Sequence, residues 1–157
     1  IANTLKNNIL NYLSEYRMIN DYIEIANGQV IDLGLDMDLM IDKNENPTDV
    51  IKQTIQTATS FFAIEKRKMG DPLFVGDLMR EIGAIGGVVN VTDIRVFNKI
   101  GGNYSSSEVS QIYKDIPTKE IQQIDMTVFM QSNQIFQIRF PNSDIRVRTK
   151  ALGTTTY

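Results

Sequence analysis

The sequence predicts an α+β fold: a mixed or antiparallel sheet with helices on one face, followed by a C-terminal antiparallel β-meander. Three observations carry this. Residues 30–42 place Ile31, Leu33, Leu35, Met37, Leu39 and Ile41 on one parity. Asp32, Gly34, Asp36, Asp38 and Asp42 take the other, broken only by Met40, which is the period of a strand with one dry face and one wet face. Residues 4–16 and 47–68 instead repeat their apolar side chains at three and four, as amphipathic helices do. Beyond residue 121, short alternating runs return.

In chain order, residues 4–16 read as a helix with the stripe Leu5, Ile9, Tyr12, Leu13 and Tyr16, capped by Asn3 or Thr4 and lying on the sheet. Residues 19–25 and the long strand then read as a hairpin. A two-residue Asn27-Gly28 turn would set Ile23 against Asp32 and mix the faces. A three-residue loop, 26–28, pairs Ile25 with Gln29, Ile23 with Ile31 and Ile19 with Leu35, with Gly28 in the left-handed position. At ~3.3 Å per residue the second strand reaches roughly 40 Å, so a bend at Gly34 or a projecting arm is expected.

Asn46, Pro47 and Asp49 form a helix start: cap, first-turn proline and an acid at the positive helix end. The helix is expected to run to about residue 68, with Ile51, Ile55, Ala58 and Phe62 on one stripe and Phe61 beside it. Lys66, Arg67 and Lys68 suit the negative helix end, which explains them without a phosphate ligand. A short helix over 76–82 turns Leu78, Met79 and Ile82 inward. Gly83, Gly86 and Gly87 close that helix and open a strand, the reverse of the order in a phosphate-binding loop. In the strand 88–98, Val89 and Val91 share one parity and Ile94 and Val96 the other, so a bulge is expected at Thr92-Asp93.

Residues 99–120 form a polar, turn-rich connection, with one helical turn over 107–113, and are expected to be mobile or held by a partner. The meander over 121–150 rests on Ile124, Met126, Val128 and Met130, then Phe136, Ile138 and Phe140, then Ile145 and Val147. A 141–144 loop pairs Phe140 with Ile145 and Ile138 with Val147, setting Arg139 opposite Arg146, with Arg148 and Lys150 further along that face. The domain organisation expected is an α+β core at 1–98 with a projecting hairpin at 19–42, the connection at 99–120, the meander at 121–150 and a polar tail at 151–157.

Composition narrows the function classes. The 157 residues carry a net charge of −3 and include neither cysteine nor histidine. Disulfides, thiolate nucleophiles, Cys or His zinc sites and Ser-His-Asp triads are therefore excluded. No apolar run approaches the ~20 residues of a membrane helix, and no global basic field draws nucleic acid. Opening on Ile1 rather than Met, the chain reads as a fragment.

The residues Ile9, Tyr12-Leu13, Arg17, Asp21-Tyr22-Ile23-Glu24-Ile25, the alternating strand to Asp42, Gly70, Val75-Gly76-Asp77-Leu78, Ile82, Ile85-Gly86-Gly87-Val88 and Val91 carry a resemblance over residues 5–98. The chain resembles the C-terminal part of the baseplate wedge protein of T4-like contractile-tailed phages, and more distantly the baseplate J-like family. The resemblance implies a virion structural protein assembled in the host cytoplasm. Its partners would be other copies of itself, in dimer and ring contacts, and other wedge and hub proteins. It implies no catalytic residues, no cofactor and no metal.

Two other classes stay open on the residues alone. The basic strands, through Arg139, Arg146, Arg148 and Lys150, suit a nucleic-acid or anionic-ligand module. Asp32, Asp36, Asp38 and Asp42 suit a carboxylate or metal-dependent enzyme, although neighbours ~7 Å apart on a strand do not chelate one ion unaided. Under the assembly reading, Asp36, Asp38, Asp42, Arg139, Arg146, Arg148 and Lys150 are candidate protein-interaction residues, with the basic strands expected to dock on the acidic face of a neighbouring copy.

Overall fold

A computed structural model describes residues 2–113, 117–155 and 157. In chain order the elements are α1 (Asn3–Ser14), β1 (Gln29–Ile41), α2 (Pro47–Phe61), a 3-10 turn (Ile64–Lys66), β2 (Leu73–Phe74), α3 (Val75–Gly83), β3 (Val88–Lys99), β4 (Thr127–Val128), β5 (Gln134–Gln137), α4 (Pro141–Asp144) and β6 (Ile145–Ala151). The fold is α+β with a mixed sheet.

β1 is the alternating run, and it is the centre of the sheet rather than half of a hairpin. One edge pairs antiparallel with β3, from Asp32 beside Lys99 to Ile41 beside Val88. The other edge is shared by two strands in one lane. β5 runs parallel to Gln29–Asp32, and β6 runs parallel to Leu35–Ile41. The single turn α4 steps the chain from one to the other. The expected hairpin is therefore corrected: residues 21–28 have no regular structure, and Gly28 is not left-handed. Both edges of β1 are already filled by partners that put Phe136 beside Ile31, Ile145 beside Leu35, and Val96 and Ile94 beside Leu35 and Met37. Those matches bury more apolar surface than Ile23 and Ile25 offer, and burial outweighs the shorter loop.

The C-terminal meander is corrected too. β5 and β6 do not pair with each other, so Arg139 does not face Arg146 and the last strands belong to the sheet of the first. Of residues 121–130 only Thr127–Val128 form a strand, against β2. Asp125 and Met126 have φ of 52° and 55°, which breaks the alternation and leaves Ile124 and Met126 exposed.

The odd parity of β1 is the core, with Ile31, Leu33, Leu35, Met37, Leu39 and Ile41 all at 2% exposure or less. Opposite it, α2 buries Val50, Thr54, Ala58 and Phe61 and α3 buries Val75, Leu78 and Ile82. Of the expected stripe Ala58 and Phe62 are buried, with Phe61 beside them, while Val50 and Thr54 take the buried places expected of Ile51 and Ile55, which lie at the margin. Thr54 is admitted because its hydroxyl donates to the Val50 carbonyl at 2.8 Å, so no polar atom goes unpaired. Asn46 caps α2 as expected, accepting from the Thr48 N–H at 3.0 Å. The helix stops at Phe61, not near residue 68. The chain turns back so that the Arg67 guanidinium sits 4.3 Å from the centre of the Phe61 ring and donates to the Phe61 carbonyl. The bulge in β3 falls at Thr92 as expected, and a second at Val89 brings Val88 opposite Ile41. Gly87 takes a φ of 89°, open to glycine without penalty, and its carbonyl accepts the Asp42 N–H at 2.9 Å.

α1 departs from expectation most. It forms over Asn3–Ser14 with Ala2 at the cap position and no side-chain cap, and none of its residues is buried. Leu5 is 51% exposed, Tyr12 64% and Tyr16 71%. The stripe does not lie on the sheet because α2 and α3 already occupy the core face.

The two kinds of apolar residue should separate in urea unfolding. Leu35→Ala should cost about 2–5 kcal/mol, as a large-to-small change in a packed core does. Leu5→Ala should stay within about 0.5 kcal/mol of wild type.

Candidate interaction surface

The even parity of β1 forms the second face of the sheet, and it is charged across all three lanes. Asp32 lies between Lys99 and Gln137, Asp36 between Arg95 and Arg146, and Asp38 between Asp93 and Arg148. Two carboxylates directly opposite, Asp38 and Asp93, would repel. Arg95 spans them, with Nη1 at 3.4 Å from Asp38 and 3.2 Å from Asp93. Arg148 closes on Asp38 from the other side as a fork, Nε to Oδ1 and Nη2 to Oδ2, both at 2.8 Å. Asp38 itself is only 7% exposed.

Asp32 is fully buried. It accepts the Ser105 N–H at 2.6 Å and the Gln137 side-chain amide at 2.8 Å, with Arg139 4.0 Å away. Asp144 accepts the Tyr104 hydroxyl at 2.6 Å and the Phe140 N–H at 3.1 Å, and the Tyr104 ring stands edge-on to Phe140. Further along, Asn98 accepts the Val109 N–H at 2.9 Å and donates to the Ser107 carbonyl at 3.1 Å. These contacts strap residues 104–109 across the end of the sheet, from Asp32 on the charged face to Val109 in the core. The connection expected to be mobile or partner-held is thus held by its own chain, and no helical turn forms over 107–113. Residues 114–116, within that connection, lie outside the described residues. The bend expected at Gly34 is instead a close approach: a Cβ there would lie 3.3 Å from the Asp144 carbonyl oxygen.

The half-exposed strand is corrected accordingly. The acidic parity of β1 is covered at Asp32 by the strap and at Asp38 by arginines. Of the acidic and basic candidates, Asp38 and Arg148 meet within one chain. Asp42 accepts the Asn44 N–H at 2.9 Å and shapes the turn into α2. Arg139 sits 5.7 Å from the Phe140 ring. Lys150 and Arg148 lie 4.8 and 5.6 Å from the Tyr157 ring. Asp36 and Arg146, with Lys99 and Asp144, line an open cleft of about 240 Å³. Asp36, Arg146 and Lys150 are in no ion pair among the described residues. With Arg148 committed to Asp38, the basic strands offer fewer free cations to a phosphate backbone than their sequence suggests. No three carboxylates gather as a metal-ion site among the described residues.

Sequence reasoning missed Ser105, Tyr104, Asn98 and Asp144. The available signal was a polar residue standing where a strand's apolar face continues, as Asn98 does after Ile94 and Val96.

Two substitutions probe the strap. Asp32→Asn turns an amide donor toward one of two groups that themselves donate, and should cost about 1–3 kcal/mol while speeding hydrogen exchange at residues 104–109. Tyr104 is held above the ordinary tyrosine range, first by donating its hydroxyl to Asp144 and then by burial. The unfolded chain therefore ionises first. The stability this tyrosine adds is intact below about pH 10 and is lost as pH rises through its higher folded value. The stability gap between wild type and Tyr104→Phe, followed by urea titration, should close on the alkaline side and stay constant below it.

Comparison with protein families finds none that matches the chain, and comparison with curated proteins finds no matching relative.

Proposed function

We propose that the chain is a structural component of a contractile phage tail baseplate, working through contacts with like subunits and with other baseplate proteins. The observation that carries this reading is the N-terminal apolar surface. Leu5, Tyr12, Tyr16, Met18, Ile19 and Tyr22 are each half exposed or more, and they fall within residues 5–22, which run from α1 through the turn after it. A patch of that kind marks a protein contact, and tyrosine and methionine are enriched in such contacts. The resemblance of residues 5–98 to wedge proteins supports the same reading. The charged face supports it as well: most of its groups neutralise one another, which suits a rigid scaffold.

Antibody raised against the chain and coupled to gold particles tests this on whole phage by electron microscopy. Label is expected at the tail tip before and after sheath contraction. Label on the head, or none on intact tails, would remove the reading.

A further inference from the structure

Residues 21–26 alternate as a strand does. Tyr22, Glu24 and Ala26 are exposed, while Ile23 and Ile25 are half-buried. Among the described residues no strand pairs with them, and the local partner their sequence favours, β1, has both edges filled. Just beyond, Asn27 is tied down, its carbonyl accepting from the Asn133 side chain at 2.9 Å. The Asp21 N–H already donates to the Met18 carbonyl at 3.0 Å; residues 22–26 beyond it offer backbone donors and acceptors that a sheet edge would satisfy.

The sheet has an edge of matching charge. Among the described residues β6 pairs with β1 on one side and with no strand on the other; of its cations Arg146 is in no ion pair, Arg148 is held by Asp38 and Lys150 lies over the Tyr157 ring. The segment before β1 carries Glu15, Asp21 and Glu24 against Lys6 and Arg17, and its acids lie at 15–24, in or just before residues 22–26. The outer edge of β3 is the poorer match. Residues 119–121 already cover it at Val96–Asn98, where Ile121 donates to the Val96 carbonyl at 2.8 Å, and Asp93 would repel an acidic strand.

Resting on the assembly reading above, we propose that residues 22–26 of one copy add as a strand to the outer edge of β6 in a second copy. Glu24 then lies opposite Arg146, and the apolar stripe of α1 follows onto the same partner. The exchange is reciprocal, since a two-fold interface uses each surface twice. The area is sufficient: three tyrosines at about 150–250 Å² each, with Leu5, Met18 and Ile19, approach the ~800 Å² per partner of a stable interface.

Sedimentation equilibrium of the chain should show a dimer. Glu24→Lys and Arg146→Glu should each raise its dissociation constant about tenfold or more, and the two combined in one chain should restore it to within about threefold. Both sites are exposed, so circular dichroism should show the fold unchanged. Because the sequence lacks cysteine, a chain carrying Glu24→Cys and Arg146→Cys should form a disulfide between chains on oxidation. A monomer at all concentrations, a dimer indifferent to both reversals, or a disulfide formed within one chain would overturn the proposal. A dimer indifferent to the reversals on a chain that still labels the tail tip would leave the baseplate reading standing. Strand exchange in a chain that labels no tail would do the opposite.

Discussion

A central strand has two edges and two faces, and the chain itself supplies partners for both edges of β1, for its apolar face, and for Asp32 and Asp38 on its charged face. That constraint organises the rest. The apolar parity is covered by α2 and α3, the charged parity by arginines and the 104–109 strap, one edge by β3, and the other by β5 and β6 in succession. An unpaired backbone group or an unpaired carboxylate at the centre of a sheet would each cost more than a typical surface contact returns. Strands from both ends of the sequence are therefore recruited to one place, and whatever finds no room there, α1 above all, is left outside.

The charges on the second face bear on something the apolar residues leave open. A slip of one residue between β1 and β6 is forbidden by parity. A slip of two keeps apolar against apolar and is nearly as good by burial alone. It would, however, replace Arg148 beside Asp38 by Arg146 or Lys150 and break the fork that Arg148 makes in the observed register. The charges alone therefore do not forbid that slip; the Arg148 fork and Arg95 together hold Asp38 in the register found. The same arrangement explains why a chain with so many charged residues in three adjacent strands presents a nearly balanced face.

What the sequence revealed follows the range of the physics involved. The parity of β1, the Asn46 cap, the bulge at Thr92 and the inward face of α3 depend on residues within a turn or two of each other, and all could be read directly. The hairpin at 19–25 could not be tested that way. Ile19, Ile23 and Ile25 fit β1 well, but Phe136, Ile145 and Val147 fit it better, and nothing local announces a competitor more than a hundred residues away. The C-terminal meander failed for the same reason, since alternation in 134–138 and 145–149 says which face is apolar without naming the strand beside it. Of the candidate residues, Asp38 and Arg148 form the one ion pair among the described residues. Asp38 and Arg148 were expected to meet across an interface and instead meet across one hydrogen-bonded lane. The strap was invisible because Ser105 contributes a backbone N–H, which every residue but proline has.

The separation of Asp38 from Arg148, 110 residues along the chain, has a consequence for biosynthesis. At roughly 5–20 residues per second, a ribosome that has released β1 spends several seconds more before β6 emerges. During that time the strand with the most apolar face in the protein has at best β3 for company, and its second edge stands open. Closing so distant a pairing is slow. The nascent chain is accordingly most open to wrong partners between the release of β1 and the release of β6, an interval in which Asp32, Asp36 and Asp38 put charge on the face beside the open edge.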